Sequence, residues 1–106
     1  MRYAIVLAPS AVRELRALPA HVRATVRDAM ERHLRYEPAK LSKSRIKRLR
    51  GLSRPQFRLR VGDTRVFYDV TDEAVEILAI VGKAQVQAWL EEHGEPYPGS
   101  PGQGEG

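Results

Sequence analysis

One stretch decides the fold of this chain: FRLRVGDTRVFY, residues 57–68. Apolar and polar residues alternate on both sides of Gly62-Asp63, and this alternation predicts two β-strands joined by a tight turn. Glycine in the first turn position is what a type II′ hairpin requires. The stretch therefore predicts a β-hairpin to which the other elements are added.

The hairpin also carries three arginines that the strands can bring together. Arg58 and Arg60 are two residues apart, so both project from one face of an extended strand. Arg65 begins the returning strand, close to Arg60 across the turn. Rigidly held guanidinium groups suit phosphates better than neutral ligands. The hairpin is therefore a candidate phosphate-binding site.

The positive charge of the chain is concentrated in its first part. Residues 1–60 hold 16 Lys and Arg against 4 Asp and Glu, a balance of +12. Residues 61–106 hold 2 against 9, a balance of −7, which gives the net charge of +5. A field this polarised favours the binding of a polyanion to one region.

Composition argues against several kinds of site. The chain has no cysteine, which excludes disulfides and thiolate metal sites. Its histidines share no metal-ligand spacing, and no glycine-rich phosphate loop is present. We therefore expect no metal and no cofactor.

The sequence has no apolar run of about 18 residues and no charged-then-apolar leader. We therefore expect a cytoplasmic protein with no membrane span.

The segment before the hairpin predicts one strand and two helices. Alternating apolar residues predict a strand over residues 2–7, and Ser10 is a suitable N-cap for a helix over 11–18. Apolar residues at helical spacing predict a second helix over 20–35. Two consecutive helices with a short connection form an αα-hairpin that can pack on a sheet.

Residues 37–54 have the composition of a loop, rich in Pro, Ser and Gly. This segment contains the densest basic run of the chain. Such a run can simply lie in solvent, but its position before the hairpin favours an extension of the phosphate surface. Its cations are Lys43, Arg45, Lys47, Arg48 and Arg50.

The segment after the hairpin predicts a strand and a short helix. The most apolar strand, residues 74–81, is expected inside the sheet, and a helix is expected over 83–92. From Gly94 onward, five glycines and three prolines in thirteen residues predict disorder. The chain should thus form one α+β domain over residues 1–93, followed by a tail over 94–106.

Four sequence segments together resemble the RelE/ParE superfamily of bacterial toxins from toxin–antitoxin operons, over about residues 2–92. They are APSA at 8–11, RLRGL at 48–52, RLRVGDTRVFY at 58–68 and IVGK at 80–83. The resemblance implies a RelE-like fold, a twisted, mainly antiparallel four-stranded sheet with an αα-hairpin on one side and a short C-terminal helix. It also implies a cognate antitoxin protein as partner.

The resemblance further implies roles for individual residues. RelE-like members enter the ribosomal A site and cleave mRNA, and ParE-like members poison DNA gyrase. Arg65 aligns with the arginine that acts on the scissile phosphate, and Arg58 with a lysine of the preceding strand. Beside these aligned residues, we expect Lys83 to supply a further catalytic cation and Trp89 to stack on a base. We expect further RNA contacts from Arg60 and, because of their position before the hairpin, from the five cations of the 43–50 run.

The sequence departs from the ribonuclease pattern at three positions. Gln56 replaces a second strand lysine, Ala84 replaces an arginine, and Leu90 replaces a tyrosine. We expect a ribosome-dependent, metal-independent mRNA-cleaving toxin. The alternatives are a gyrase poison, which does not need these groups, and a catalytically weak member that only binds RNA or antitoxin.

Overall fold

The computed structural model describes residues 1–98, and within them no helix is long and apolar enough to cross a bilayer. Seven strands, three α-helices and a short 3₁₀ turn are present in this part of the chain. The helices are α1 (Pro9–Ala17), α2 (Ala20–Leu34) and α3 (Val86–His93), with the 3₁₀ turn at Lys83–Gln85. The strands are β1 (Ala4–Leu7), β2 (Ile46–Arg48), β3 (Leu52–Arg54), β4 (Phe57–Val61), β5 (Thr64–Val70), β6 (Ala74–Gly82) and β7 (Glu95–Pro96).

The main sheet has five strands in the order β1-β6-β5-β4-β2. β1 runs parallel to β6, and every other neighbouring pair is antiparallel. The α+β class with a mainly antiparallel sheet is thereby confirmed, and β6 lies inside the sheet as expected. The sheet has one strand more than the four expected, because β2 forms within the segment predicted to be a loop.

The predicted loop over residues 37–54 is wrong in part. Ser42 begins a tight turn in which its Oγ accepts hydrogen bonds from the N–H groups of Arg45 (2.9 Å) and Ile46 (3.0 Å). Ile46 is buried opposite Leu59, which fixes the three-residue strand β2 against β4. A strand this short carries too few alternating residues to give a clear sequence signal.

Helices α1 and α2 cover one face of the sheet. Ala11 and Leu15 of α1, with Val26, Met30 and Leu34 of α2, are buried against the inward-facing strand residues. Helix α1 begins at Pro9 rather than at Ala11. Its N-cap is Ala8, and proline at the first helical position already has a suitable φ.

Polar side chains of α1 cover the edge of β6 beyond the end of β1. Ser10, predicted as the N-cap, lies inside the first turn of α1, and its Oγ donates to the carbonyl oxygen of Leu78 at 3.4 Å. One carboxylate oxygen of Glu14 accepts the N–H of Ile80 at 2.8 Å. The helix thus replaces the hydrogen bonds that a longer β1 would have made.

The β4–β5 hairpin has the predicted register. Phe57 lies opposite Tyr68, and Leu59 lies opposite Val66, so these four side chains face the helices. The Phe57 and Tyr68 rings stack with centroids 5.4 Å apart. Gly62 has a positive φ, which this turn requires and which glycine adopts without a steric penalty.

The C-terminal segment is more ordered than expected. Glu95–Pro96 forms β7, which pairs with β3, and Gly94 donates its N–H to the Leu90 carbonyl at the end of α3. The predicted disorder from Gly94 onward is therefore wrong for the first residues of the tail. Residues 99–106 lie outside the described residues.

The Glu14–Ile80 contact predicts a measurable loss of stability on substitution. Glu14→Ala leaves the N–H of buried Ile80 without an acceptor, which should lower the free energy of unfolding by about 1–3 kcal/mol. Glu14→Gln keeps an oxygen acceptor and should lose clearly less. Urea unfolding monitored by circular dichroism measures both variants. Equal stability of Glu14→Ala and the wild type would contradict this account of the β6 edge.

Candidate functional site

The face of the sheet opposite α1 and α2 gathers four cations. Lys47 lies opposite Arg58 in the β2–β4 pair, and Arg60 lies opposite Arg65 in the β4–β5 pair. Directly opposed residues share a face, as do residues two apart on one strand. The convergence predicted for the three arginines is therefore present in the structure, and Lys47 joins them. We call Lys47, Arg58, Arg60 and Arg65 the basic face.

Neutral carbonyl groups, rather than carboxylates, accept hydrogen bonds from two guanidinium groups of the basic face, those of Arg58 and Arg65. The Arg65 Nη1 donates to the carbonyl oxygens of Gly62 (2.8 Å) and Thr64 (3.1 Å). The Arg58 Nη2 donates to the carbonyl of Ser44 at 3.1 Å. Among residues 1–98, none of the four cations forms an ion pair with a carboxylate. Their positive charge is therefore oriented without being neutralised.

Arg58 is the most constrained member of the basic face. Its Nε is buried and has no acceptor among the described residues. Burial lowers the pKa of Arg58, and the positive charges of Arg65 and Arg60 lower it further. A buried donor without a partner costs free energy, and so do like charges on neighbouring strands. An anion bound at the solvent side of these guanidinium groups would relieve the repulsion between the like charges.

The basic run of residues 43–50 does not act as one surface. Arg48 lies opposite Phe57, on the helix side of the sheet, with its guanidinium carbon 5.3 Å from the Phe57 ring centroid. The Nη1 of Arg48 donates to the Gln56 carbonyl at 2.7 Å, and its Nη2 to the Tyr97 hydroxyl at 2.5 Å. These contacts connect β2 to the start of β4 and to Tyr97, which follows β7, so Arg48 is separated from the basic face.

The remaining cations of the run lie around the basic face rather than on it. Lys43 and Arg45 are exposed in the turn before β2, and Arg50 is exposed in the turn after it. The Arg45 backbone carbonyl accepts the N–H of Arg60 at 2.9 Å. Of the five cations predicted from this run, only Lys47 joins the three arginines. The Ser44 carbonyl that holds Arg58 had no sequence signal, because every residue has a backbone carbonyl.

A family comparison identifies the class of this protein. The sequence model described as the ParE toxin of type II toxin–antitoxin system, parDE, matches residues 5–87. The chain belongs to the ParE toxin family. It is therefore a toxin of a type II toxin–antitoxin system, within the RelE/ParE superfamily that the sequence motifs resemble. A comparison with curated proteins finds no significant match.

Solved toxin–antitoxin structures share the fold. The RelBE2 toxin–antitoxin complex from Mycobacterium tuberculosis has a chain with 27% identity and a TM-score of 0.64, covering 77% of this chain and 99% of that one. The RelB–RelE complex from Methanococcus jannaschii gives 20% identity and a TM-score of 0.60, with coverages of 79% and 96%. The RelE–RelB complex from Pyrococcus horikoshii OT3 gives 24% and 0.53, with coverages of 80% and 99%.

Gln56, which departs from the family pattern, has a structural role here. Its N–H donates to an Asp69 carboxylate oxygen at 2.7 Å, and its side-chain oxygen accepts the N–H of Val70 at 2.9 Å. Burial raises the pKa of Asp69, although the Gln56 N–H and Arg54 act in the opposite direction. Gln56 therefore connects the start of β4 to the end of β5.

Helix α3 places Trp89 on the face of the sheet opposite α1 and α2, where the indole ring packs against another aromatic ring. The Trp89 and Phe67 rings stack with centroids 4.9 Å apart and an interplanar angle of 3°, and the His93 ring lies 5.1 Å from the indole. Phe67 is fully buried. Trp89 thus covers the sheet, and this contact competes with the base stacking predicted for it.

Lys83 lies beside the hairpin turn, where its backbone N–H donates to the Asp63 carbonyl at 2.7 Å. Its side chain is exposed, as is the neighbouring Ala84, while Leu90 is half-buried in α3. The 3₁₀ turn before α3 therefore places a cation beside the hairpin turn, and neither Ala84 nor Leu90 supplies a phenol. Within residues 1–98, no cluster of His, Asp and Glu could hold a metal ion.

The repulsion within the basic face predicts a variant that is more stable than the wild type. Arg60→Gln removes a like charge directly opposite Arg65, so the free energy of unfolding should rise by about 0.2–1 kcal/mol at low salt. The gain should vanish near 1 M NaCl, where the Debye length is about 3 Å. Thermal and urea unfolding measure it.

Arg13→Gln on the exposed side of α1 is the matched control for this gain. It makes the same change in net charge without removing an opposed arginine, and it should leave stability nearly unchanged. A gain for Arg13→Gln equal to that for Arg60→Gln, or a gain that persists at high salt, would refute local repulsion.

Proposed function

We propose that this toxin binds the ribosome in the cytoplasm and cleaves mRNA by metal-independent phosphoryl transfer, until an antitoxin neutralises it. The observation that carries the proposal is the basic face. Four cations share one side of a rigid sheet, and carbonyl groups orient the guanidinium groups of Arg58 and Arg65 without neutralising their charge. Such a surface suits the phosphates of a nucleic-acid strand.

The proposed reaction requires charge stabilisation more than a protein nucleophile. The RNA 2′-oxygen attacks the adjacent phosphorus, the 5′-oxygen of the next nucleotide leaves, and a 2′,3′-cyclic phosphate remains. Negative charge grows on the non-bridging oxygens in the transition state. Arg65, fixed at two carbonyl groups of the turn, and Arg58, fixed at Ser44, would bind these oxygens without reorganising.

Proton transfer is the step that this chain supports least. Ala84 and Leu90 occupy the positions at which family ribonucleases carry an arginine and a tyrosine, and Trp89 is engaged by Phe67. A positioned general acid or base contributes about 10²- to 10⁴-fold in rate. We therefore expect cleavage by this toxin to be slower by about this factor than by a relative with both groups, with water exchanging the protons.

An antitoxin is the expected protein partner. The structural neighbours from three organisms are toxin–antitoxin complexes, which supports this assignment. The basic face adds a chemical reason, because an acidic antitoxin segment laid over Arg58, Arg60 and Arg65 would neutralise them. Such a segment would block the RNA phosphates by occupying their place.

Poisoning of DNA gyrase is the second candidate function. The matched family is described as ParE, and such a toxin would not require the arginine and tyrosine that are missing here. The basic face is compatible with a DNA-bound target as well. The two functions differ in their cellular consequences: ribosomal cleavage stops translation, whereas a gyrase poison traps gyrase on DNA and induces the SOS response.

Inducible expression in bacteria tests the proposal. The wild type should arrest growth and produce mRNA breaks at A-site codons, mapped by primer extension or sequencing of 5′ ends. Arg65→Ala should lower the cleavage rate by about 10²- to 10³-fold, the usual effect of removing one donor to the transition-state charge. Arg13→Ala, an exposed arginine outside the basic face, should remain fully toxic.

The other outcomes would each reject mRNA cleavage. Arrest with intact transcripts, SOS induction and gyrase–DNA complexes would identify the gyrase poison. Unimpaired growth, together with salt-sensitive RNA binding by the purified protein, would identify a member that binds without cleaving. Circular dichroism of Arg65→Ala separates lost chemistry from lost folding, since Arg65 also contacts the turn.

A further inference from the structure

A pocket with basic residues in its lining, distinct from the basic face, lies between the end of α2 and the turn before β2. Its volume is about 200 Å³. Sites for drug-sized ligands are generally larger, so this pocket suits one small flat group. Its walls come from the end of α2, the following loop and the start of β2. The lining residues are Arg32, His33, Tyr36, Glu37, Lys40, Leu41, Ser42, Arg45 and Ile46.

Two large apolar side chains of this pocket are open to solvent. Tyr36 is 58% exposed and Leu41 is 56% exposed. A single exposed apolar side chain needs no explanation, but these two line one pocket, and neighbouring exposed apolar groups mark binding sites. Trp89, by contrast, is held against Phe67. Tyr36 is therefore an aromatic ring beside the basic segment that remains accessible for stacking, whereas the hydroxyl of the half-exposed Tyr97 is bound by Arg48 on the helix side of the sheet.

The pocket combines these apolar groups with positive charge. Arg32 pairs with Asp28 at 3.0 Å and Lys40 with Glu37 at 3.6 Å, but both pairs are exposed and therefore weak. Arg45 forms no ion pair within residues 1–98. A positive potential is also evident at His33, whose pKa is lowered by burial and then by Arg45 and Arg32.

The pocket is continuous with the basic face through the turn at residues 42–46. The Ser44 carbonyl holds Arg58, and the Arg45 carbonyl accepts the N–H of Arg60. The side chain of Arg45, in turn, lines the pocket. A strand whose phosphates contact Arg58 and Arg60 would cross the edge of the sheet at this turn to place a further nucleotide beside Tyr36.

We propose that Tyr36, Leu41 and Arg45 form a nucleobase site, in which one unstacked base of single-stranded RNA stacks on Tyr36 while Arg45 binds its phosphate. This inference rests on the proposed RNA binding and adds a contact that the basic face lacks. Phosphates alone carry no sequence information, whereas a base pocket can bias which sequences bind. Aromatic stacking beside a basic groove is the usual basis of single-strand binding.

Binding of a fluorescein-labelled 2′-O-methyl oligoadenylate of about twelve nucleotides to the full chain tests the site. This probe lacks the 2′-hydroxyl nucleophile and stays intact. Stacking contributes about 1–3 kcal/mol per base, so Tyr36→Ala should weaken binding by about 5- to 150-fold. Tyr36→Phe, which keeps the ring, should stay within about twofold.

The salt dependence and an abasic probe separate stacking from charge. Tyr36→Ala should leave the log–log salt slope unchanged, whereas Arg45→Gln should reduce it by about 0.7, one single-strand phosphate. An abasic residue at one position of the probe should weaken the wild type as much as Tyr36→Ala does. The same abasic residue should cost Tyr36→Ala little, since the two changes remove one contact.

Three results would overturn the inference. The first is wild-type affinity of Tyr36→Ala for the oligonucleotide. The second is an abasic penalty that is as large in Tyr36→Ala as in the wild type. The third is a loss of affinity of Tyr36→Ala for an acidic peptide such as oligoglutamate that equals its loss for RNA.

The double variant Arg58→Gln/Arg60→Gln separates this inference from the proposed function. If that variant binds RNA like the wild type, the RNA-binding proposal fails; if only the double variant weakens binding, the pocket alone fails.

Discussion

The antiparallel register between β4 and β5 is the constraint on which the rest of the structure depends. It places Phe57, Leu59, Val66 and Tyr68 in the core under the helices, and the arginines of both strands on the opposite face. Because side chains alternate, a shift by one residue would bury the arginines and expose the core. The burial that stabilises the sheet therefore also assembles the basic face, so fold and candidate site have one origin.

The like charges of the basic face repel one another, and this repulsion lowers the stability of the fold. A carboxylate near Arg58 or Arg60 would relieve the repulsion, yet the described contacts of the guanidinium groups are with backbone carbonyls. Such contacts fix geometry and leave the charge available. Like charges on such a surface lower the stability of the fold slightly and favour the binding of a polyanion. The buried Nε of Arg58, which has no acceptor among the described residues, is one identifiable source of this loss of stability.

The sequence predicted the elements whose pattern is long and regular, and missed those fixed by single contacts. The hairpin, both long helices and the inner strand β6 follow from periodicity, and the family follows from the motifs around them. Strand β2 is short and depends on the Ser42 turn, while β7 pairs with β3, a strand far away in the sequence. The placement of Arg48 depended on β2, so it could not be predicted. Tyr36, between Arg35 and Glu37, gave no sequence signal, because the pocket beside it depends on the three-dimensional position of Arg45.

The nuclear magnetic resonance of the arginine Nε–Hε groups tests the central claim most directly, because each guanidinium reports separately. Titration with the 2′-O-methyl oligonucleotide should shift the signals of Arg58, Arg60 and Arg65 along one saturation curve. The signals of Arg13, on the exposed side of α1, and Arg48, on the helix side of the sheet, should stay in place. Shifts confined to the helix arginines, with the three signals of the basic face unmoved, would contradict the account.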